Sequence, residues 1–306
     1  MILRRGELEL QNDVLKAIVD RTPDVPLYHY TNQSGLLGIV KDQQIWATHH
    51  QYLNDREEFL HAVRFVKDEI ESLLDGGIGS GPDGDSRRNI LNRMKAAITR
   101  SSWKINICVA SFSERGDSLS QWRGYSGRTG FAIGFWGSDL KAIAEAKGWY
   151  LAACEYDWER QRRIVKELIN TAMDELTSGR VQGVPEPDDG YDRVGNFVSY
   201  LYRFAPILKN HAFTDEKEWR IISPILPCTT PGFDYREGSS TIVPFFRFPL
   251  FDHGNNFQIH EVVVGPANDE DRSEYAVSSL LASRHLWQRG GKSTLVRMSK
   301  VPFRDW

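Results

Sequence analysis

The stretch PLYHYTNQSGLLGIV, residues 26–40, joins a short apolar strand to the start of a helix. Side chains alternate between the two faces of a strand, so His29 and Thr31 share one face while Tyr28 and Tyr30 share the other. An imidazole between two phenols is unusual in a protein interior. The histidine is therefore either a core residue with satisfied hydrogen bonds or a residue that binds a ligand.

Signals for regular structure continue outward from this stretch. Asn32 or Ser34 is expected to cap the helix that carries Leu36 and Ile39, and Asn54 and Asp55 are expected to begin another. Further helices are predicted at about residues 87–99, 161–176 and 194–208 and after 268. Strands are predicted at 27–31, 44–48, 241–248, 261–264 and 294–298, from about 217, and within KINICVASFS, GFAIGFW and WYLAACEYD.

Two further expectations concern the middle of the chain. GFAIGFW is expected to pair with the strand before it, KINICVASFS, and ERGDSLSQWRGYSGRT between them is expected to be a polar loop. SGRVQGVPEPDDGYD, residues 178–192, is expected to be a flexible insertion. With no internal repeat and no clean linker, the sequence predicts a single domain over residues 1–306, with its core at about 26–300. The predicted fold class is α+β with a mixed sheet and helical insertions.

Composition narrows the class of protein. The net charge of −3 argues against nucleic-acid binding by overall attraction, although ERQRR at 159–163 gives a local basic spot. The first residues carry no apolar run, so no signal peptide is expected, and no stretch is long and apolar enough to span a membrane. Cys108, Cys154 and Cys228 are widely spaced and odd in number. A cytoplasmic protein without a disulfide framework or a metal centre is expected.

Three polar clusters lie in or beside predicted strands. The first surrounds His29, the second runs from Ser111 and Ser113 into SLSQWRGY, and the third is DEKEWR, which places Glu216, Glu218 and Arg220 on one strand face. Each has a purely structural interpretation: a satisfied core histidine, a packed corner around QWRGY, and a solvated strand entrance. The second cluster contributes these candidate side chains: Gln121, Trp122, Arg123 and Tyr125.

In order along the chain, LYHYTNQSGLLGIVKDQQIWATHHQYLND, SFSERGDSLSQWRGY with GFAIGF, and FTDEKEWRII resemble a bacterial domain-of-unknown-function family, DUF2971. The resemblance extends over nearly the whole chain. This family is in turn remotely similar to the ADP-ribosyltransferase fold. The resemblance thus implies a mostly antiparallel, split β-sheet core of ADP-ribosyltransferase type, with NAD as substrate.

The resemblance also implies a distribution of roles. His29, followed by Tyr30 and Thr31, matches the first-strand element of ADP-ribosyltransferases, and Glu218 matches the glutamate that enters a later strand. Ser111 and Ser113 resemble the Ser-Thr-Ser element, with a phenylalanine in place of its middle residue. The same resemblance assigns the second cluster to NAD binding, with Trp122 or Tyr125 as the aromatic that stacks nicotinamide and Arg123 as a partner of the pyrophosphate.

The chemistry of the reaction accounts for these residue types. Breaking the nicotinamide–ribose bond releases a neutral amine, so no general acid is needed, and the developing ribosyl cation resembles the oxocarbenium ion of glycoside hydrolysis. Glu218 would stabilise that cation, and His29 would hold a ribose hydroxyl. Glu216 and Arg220 would face the acceptor. The expected activity is ADP-ribosyl transfer or NAD hydrolysis, as in a toxin or a phage-defence effector.

Two alternatives remain at the level of sequence. The chain is either an enzyme of this type or a catalytically silent module that binds a nucleotide or a protein. A metal-dependent hydrolase built from His29, His49, His50 and the carboxylates after Tyr52 is the third hypothesis, but neighbouring histidines on a strand point to opposite sides. The acceptor, whether protein, nucleic acid, small molecule or water, and the oligomeric state are not indicated.

Overall fold

The computed structural model describes residues 13–53, 56–76, 81–101, 105–125, 130–177, 191–251, 257–266, 269–286, 288–289, 292–293 and 295–302. The predicted caps Asn54 and Asp55 lie outside the described residues. So does most of the predicted insertion, residues 178–190, whereas 191 and 192 begin a helix.

The helices and strands follow one another in a mixed order. The helices are α1 (Asp13–Asp20), α2 (Gln33–Asp42), α3 (Arg56–Asp75), α4 (Pro82–Ser101), α5 (Leu119–Tyr125), α6 (Gly137–Ala146), α7 (Trp158–Thr177), α8 (Tyr191–Phe204) and α9 (Glu270–Ser283). The strands are β1 (Pro26–Asn32), β2 (Gln44–His49), β3 (Cys108–Ser113), β4 (Gly130–Trp136), β5 (Tyr150–Ala153), β6 (Glu218–Ile222), β7 (Phe233–Glu237), β8 (Ile242–Pro249), β9 (Glu261–Val264), β10 (Gln288–Arg289), β11 (Lys292–Ser293) and β12 (Leu295–Met298). Short 3-10 turns occupy His50–Tyr52, Ala205–Ile207 and His211–Glu216.

The main sheet is mixed and mostly antiparallel, as predicted. Its order is β12–β9–β4–β1–β3–β2–β8–β7, and β6 and β5 continue from β3. All of its pairings are antiparallel except that of β9 with β12. The strand, helix, strand order of β1, α2 and β2 is also as predicted, and Asn32 is the residue that caps α2, because its Oδ1 accepts a hydrogen bond from Gly35 N at 2.9 Å.

The sheet splits at β3. One edge of β3 pairs with β6 from Val109 to Ser113. The other edge pairs with β1 only at Ser113 and with β2 only at Cys108 and Val109. Among the described strands, none pairs with this edge over residues 110–112, because β1 and β2 diverge there. The divergence leaves a gap in the middle of the sheet, and β3 forms the floor of this gap.

The predicted pairing of GFAIGFW with its predecessor is wrong. This segment, β4, pairs with β1 and β9, and β1 separates it from β3. Most of β4 is buried, which fits a central strand with a neighbour on each side. The predicted polar loop before it contains the helix α5, and the sequence interpretation did not predict α1, α6 or β7.

Two apolar clusters cover the two faces of the sheet. Ile222 packs with α3, α4, α7 and α8 on one face, and the next residue back, Ile221, packs with α2, α6 and α9 on the other. Burying one such side chain contributes about 1.5–3 kcal/mol, so each cluster anchors its helices firmly. None of the described helices is long and apolar enough to cross a membrane.

Candidate functional site

A cavity of about 740 Å³ opens at the split in the sheet. We call it the cleft. His29 and Thr31 line it from β1, Ser111 lines it from β3, and α2, β2 and the segment before β6 form its walls. Its volume lies within the range of about 300–1,000 Å³ that is usual for small-molecule sites. The split therefore creates a space of the right size for a nucleotide.

His29 lies in the gap between β1 and β3. Its Nδ1 is 3.0 Å from the carbonyl oxygen of Ser111. A carbonyl can only accept, so Nδ1 carries the proton and Nε2 of the neutral ring is an acceptor. Burial lowers the pKa of His29, and the bond to Ser111 opposes that shift only in part. Within the described part of the chain Nε2 has no hydrogen-bond partner, so it is available to a ligand hydroxyl.

The tyrosines beside His29 do not line the cleft. Tyr28 donates a hydrogen bond of 2.5 Å to Glu261 Oε1, and Tyr30 donates one of 2.7 Å to the Arg115 carbonyl. Thr31 lines the cleft together with His29, as the alternation along β1 predicts. Tyr28 and Tyr30 therefore hold the strand in place, and the hydroxyl of Tyr30, which was predicted to bind NAD, is engaged in hydrogen bonds with the Arg115 carbonyl and the Ser118 amide.

Glu218, the first residue of β6, is a buried carboxylate between two cations. Its Oε1 accepts from Arg220 Nε at 2.7 Å and its Oε2 from Arg220 Nη2 at 3.0 Å, and Lys209 Nζ also donates to Oε2. Burial by itself would raise the pKa of Glu218, but the charges of Arg220 and Lys209 outweigh it and lower the pKa to about 2. Glu218 is therefore ionised throughout the physiological range.

Glu216 belongs to the same charged cluster, but a turn positions its side chain and not the strand that was predicted. It is the last residue of a 3-10 turn, and Lys217 has the positive φ of 43° at which the chain enters β6. The prediction that Glu216 shares a strand face with Glu218 is therefore wrong, although Arg220 does share it. Lys209 donates to both carboxylates and so joins them. Glu216 and Arg220 both line the cleft.

A recess of about 50 Å³ adjoins the cleft, and we call it the recess. Its lining residues come from four segments: Tyr28, His29, Tyr30, Ser111, Phe112, Gln121, Tyr125, Glu216 and Glu218. In the structure as described, the side chains of Gln121, Ser111 and Tyr125 make no hydrogen bond. Gln121 is buried, Ser111 is half-buried and Tyr125 is exposed, so their polar atoms reach the recess and can donate to or accept from a polar ligand or water.

Three side chains predicted to bind NAD are placed elsewhere. Trp122 is fully buried, its indole donates to Asp117 at 2.7 Å, and its ring packs against Tyr30, so it offers no face to nicotinamide. Arg123 is exposed and lines neither the cleft nor the recess. Ser113 donates to the Glu216 carbonyl at 2.6 Å and thereby fixes the turn.

The helical state of α5 explains why its residues separate. Residues four apart lie on the same side of a helix, so Gln121 and Tyr125 face the recess together. Trp122 and Arg123 point in other directions. Of the two aromatics predicted to stack nicotinamide, Tyr125 lines the cleft and the recess, and Trp122 lines neither. Burial, followed by the charges of Glu218 and Glu216, raises its pKa to about 12, so its hydroxyl stays protonated.

Sequence reasoning missed two cations of the cleft. Lys209, which is almost fully buried, holds Glu216 and Glu218 and lies 5.1 Å from the ring centroid of Phe213. Arg236 lines the cleft from β7, a strand that was not predicted. No sequence pattern connects either residue with DEKEWR, because tertiary packing alone brings them together.

The histidines of the metal hypothesis pack against each other. His49 and His50 were predicted to point to opposite sides, but their rings stack with centroids 4.5 Å apart. The prediction is wrong because β2 ends at His49 and a 3-10 turn begins at His50. Burial lowers the pKa of His49 to about 4 and that of His50 to about 3. The described residues contain no group of three or more His, Cys, Asp or Glu arranged to hold a metal ion.

Comparison with known proteins bears on the segment around α5 and β6. Residues 121–221 match the model of a family described as a protein of unknown function (DUF2971), which confirms the predicted resemblance to that family. The matched segment includes Gln121, Lys209 and Glu218. No curated protein matches the chain, and no solved structure matches it.

Proposed function

On the premise that this chain resembles the DUF2971 family, we propose that it binds NAD in the cleft and breaks the nicotinamide–ribose bond. The activity is ADP-ribosyl transfer or NAD hydrolysis. Its biological setting in this proposal is that of a toxin or a phage-defence effector. The acceptor, a protein, a nucleic acid or water, approaches from the side of Glu216 and Arg220.

One observation carries the proposal. Polar groups from three separate segments, His29 Nε2, the Ser111 hydroxyl and the Gln121 amide, converge on the recess next to the carboxylate of Glu218. All three lack hydrogen-bond partners among the described residues. A ribose presents hydroxyl groups that donate and accept, so it satisfies such a set. A cavity of nucleotide size lies directly beside them.

Glu218 has the charge that this reaction requires. The ribosyl cation forms as nicotinamide leaves, and a preorganised carboxylate close to it lowers the barrier. Lys209 and Arg220 already engage both oxygens of Glu218, so part of its charge is neutralised before a ligand binds. For Glu218 to contact ribose, one of these cations has to turn towards the cleft. The NAD pyrophosphate is the partner that would draw it there.

His29 and Tyr125 complete the assignment. His29 Nε2 accepts a hydrogen bond from a ribose hydroxyl, which orients the sugar over Glu218. Tyr125, with 39% of its surface exposed at the mouth of the recess, gives a ring face to the cationic nicotinamide. Such a contact contributes roughly 0.5–2 kcal/mol when it is desolvated. Thr31 from β1 and Arg220 from β6 border the same ligand.

The test is release of nicotinamide from NAD by the purified protein, measured by chromatography. E218Q keeps the shape of the side chain and removes its charge, so we expect the rate to fall by about 10²–10³-fold. In H29A we expect the rate of nicotinamide release to fall about tenfold, because one hydrogen bond to the ribose is lost. E71Q is the matched control, because Glu71 pairs with Lys95 and does not line the cleft. Equal rates for E218Q and the unchanged protein would refute the proposed role.

A second candidate is a catalytically silent module that binds a nucleotide. The observation that favours it is that both oxygens of Glu218 are occupied by Lys209 and Arg220. In that case NAD or ADP-ribose would raise the melting temperature of the protein, because a ligand that binds only the folded state stabilises it. Nicotinamide would not be released. The two candidates therefore differ in turnover and agree in binding.

A further inference from the structure

We propose that Arg236 forms a separate anion subsite of the cleft, which binds a phosphate group of an elongated nucleotide. The inference deepens the proposed function and rests on it for the identity of the nucleotide. Arg236 lies on β7 and lines the cleft. Its Nε is buried and has no hydrogen-bond partner, and in the part of the chain that is described its side chain makes no ion pair.

The other cations of the cleft are already engaged. Lys209 is held by Glu216 and Glu218, and Arg220 is held by Glu218. Among the described residues, no carboxylate forms an ion pair with Arg236. Asp234, its neighbour two residues earlier on β7, instead pairs with Arg247 on β8. Arg236 therefore has its full charge and its planar set of donors available to a ligand.

The position of Arg236 in the sheet indicates the shape of that ligand. β7 is three strands away from β3 in the sheet order, and neighbouring strands lie about 4.8 Å apart, so the two backbones are about 14 Å apart. His29 and Ser111 line the cleft from β1 and β3. A ligand that contacts Arg236 and these two residues together must be elongated. A dinucleotide, with its phosphates between two nucleosides, fits this requirement.

The guanidinium group indicates the chemistry of the ligand. Its planar donors match the oxygens of a phosphate in a two-point contact, which an ammonium group does not reproduce. Phosphate binding at Arg236 would hold the phosphates of the nucleotide, which lie next to the reacting nucleoside. The ribose next to nicotinamide would then be placed at His29 and Glu218. Arg236 thus acts as a positioning residue whose effect is on binding.

The experiment measures the dissociation constants of ADP-ribose, ATP and adenosine by calorimetry for the unchanged protein and for R236Q, R236K and R247Q. We expect ADP-ribose to bind 10–100-fold more weakly to R236Q and severalfold more weakly to R236K. Binding of adenosine, which has no phosphate, is expected to be the same in all four. R247Q is the matched control, since Arg247 lies on the neighbouring strand and does not line the cleft.

The outcomes separate this inference from the proposed function. If R236Q binds ADP-ribose as tightly as the unchanged protein does, the subsite is refuted and the proposed function stands. If the unchanged protein binds ATP but not ADP-ribose, and R236Q weakens ATP binding, the subsite stands and NAD is the wrong ligand. If the unchanged protein binds neither ADP-ribose nor ATP, both the subsite and the proposed function are refuted. Should R236Q not fold, as judged by circular dichroism, R236K decides the same question.

Discussion

The carboxylate of Glu218 shows how a single buried charge is maintained. Moving an unpaired carboxylate out of water costs several kcal/mol, and only close partners offset that cost. Glu218 has two, Arg220 from its own strand and Lys209 from the segment before it. Both partners are themselves almost fully buried. The cluster is therefore a set of mutually dependent charges, and its protonation is coupled to folding.

The dependence of stability on pH follows from these groups. The folded pKa of Glu218 is about 2, below its ordinary value of 4.5, so its contribution is complete above about pH 4.5 and is lost as the pH falls towards 2. Burial also lowers the pKa of His49 to about 4 and that of His50 to about 3, from the ordinary value of 6.5. They remain neutral in the fold while the unfolded chain gains protons below 6.5. We expect the free energy of unfolding to fall by several kcal/mol between pH 6.5 and 3.

Urea denaturation at a series of pH values measures this dependence. In E218Q the decrease in the free energy of unfolding below pH 4.5 should become smaller. The decrease between pH 6.5 and 4.5 should be unchanged, because the histidines cause that part. Replacing both His49 and His50 by asparagine should make the loss of unfolding free energy smaller from pH 6.5 down to about 3, because the folded pKa values of the two histidines lie at the lower end of this range. A stability that is constant from pH 6.5 to 3 would contradict the assignment of buried, neutral histidines.

At the scale of elements, the close contact of α2 with β1 sets the position of one wall of the cleft. A Cβ placed on Gly35, in the first turn of α2, would lie 1.8 Å from the hydroxyl oxygen of Thr31. One at Gly38, a turn later, would meet nothing within 4 Å. The absence of a side chain at position 35 is therefore what lets the helix begin directly against the strand.

We expect G35A to destabilise the protein by about 1–3 kcal/mol, since Thr31 has to move to make room. G38A is the matched control on the same helix and is expected to be neutral or to stabilise by up to about 1 kcal/mol, because alanine restricts the unfolded chain. Both are measured by chemical denaturation. Adding Thr31→Ala to G35A should restore part of the loss. Equal stabilities of G35A and G38A would show that the contact is not tight.

The helix α5 marks the limit of sequence interpretation at this scale. It has seven residues, too few for a clear apolar period, and contains serine and glycine, which favour loops. Tertiary contacts stabilise it, namely the indole of Trp122 on Asp117 and its ring on Tyr30. The strands β1 and β2 are no longer than α5, but a strand repeats every two residues, so a short segment already shows its period, and α7 was predictable because its 20 residues span several helical turns. Which candidate residues of α5 face the recess could not be predicted until its helical geometry was known.

At the scale of the whole molecule, the two large apolar clusters share one sheet. The side chains of β6 alternate between them, Ile222 on one face and Ile221 on the other. Loss of either cluster therefore exposes the strands on which the other depends. We expect the chain to unfold as a single cooperative unit, in keeping with the predicted single domain. Helix content and tryptophan fluorescence should report the same midpoint in urea, whereas two separated midpoints would indicate two independent domains.

The sequence by itself determined the local structure and the chemistry at individual positions. Alternation along β1 placed His29 and Thr31 together, and the order of β1, α2 and β2 could be predicted because such signals depend on neighbouring residues. Only the tertiary structure decided that β1 and β2 diverge from β3, that β4 pairs with β1, and that Lys209 and Arg236 reach the cleft. The physical reason is that strand pairing and ion pairing join residues far apart in the chain. Their geometry is set by packing, and no local pattern encodes it.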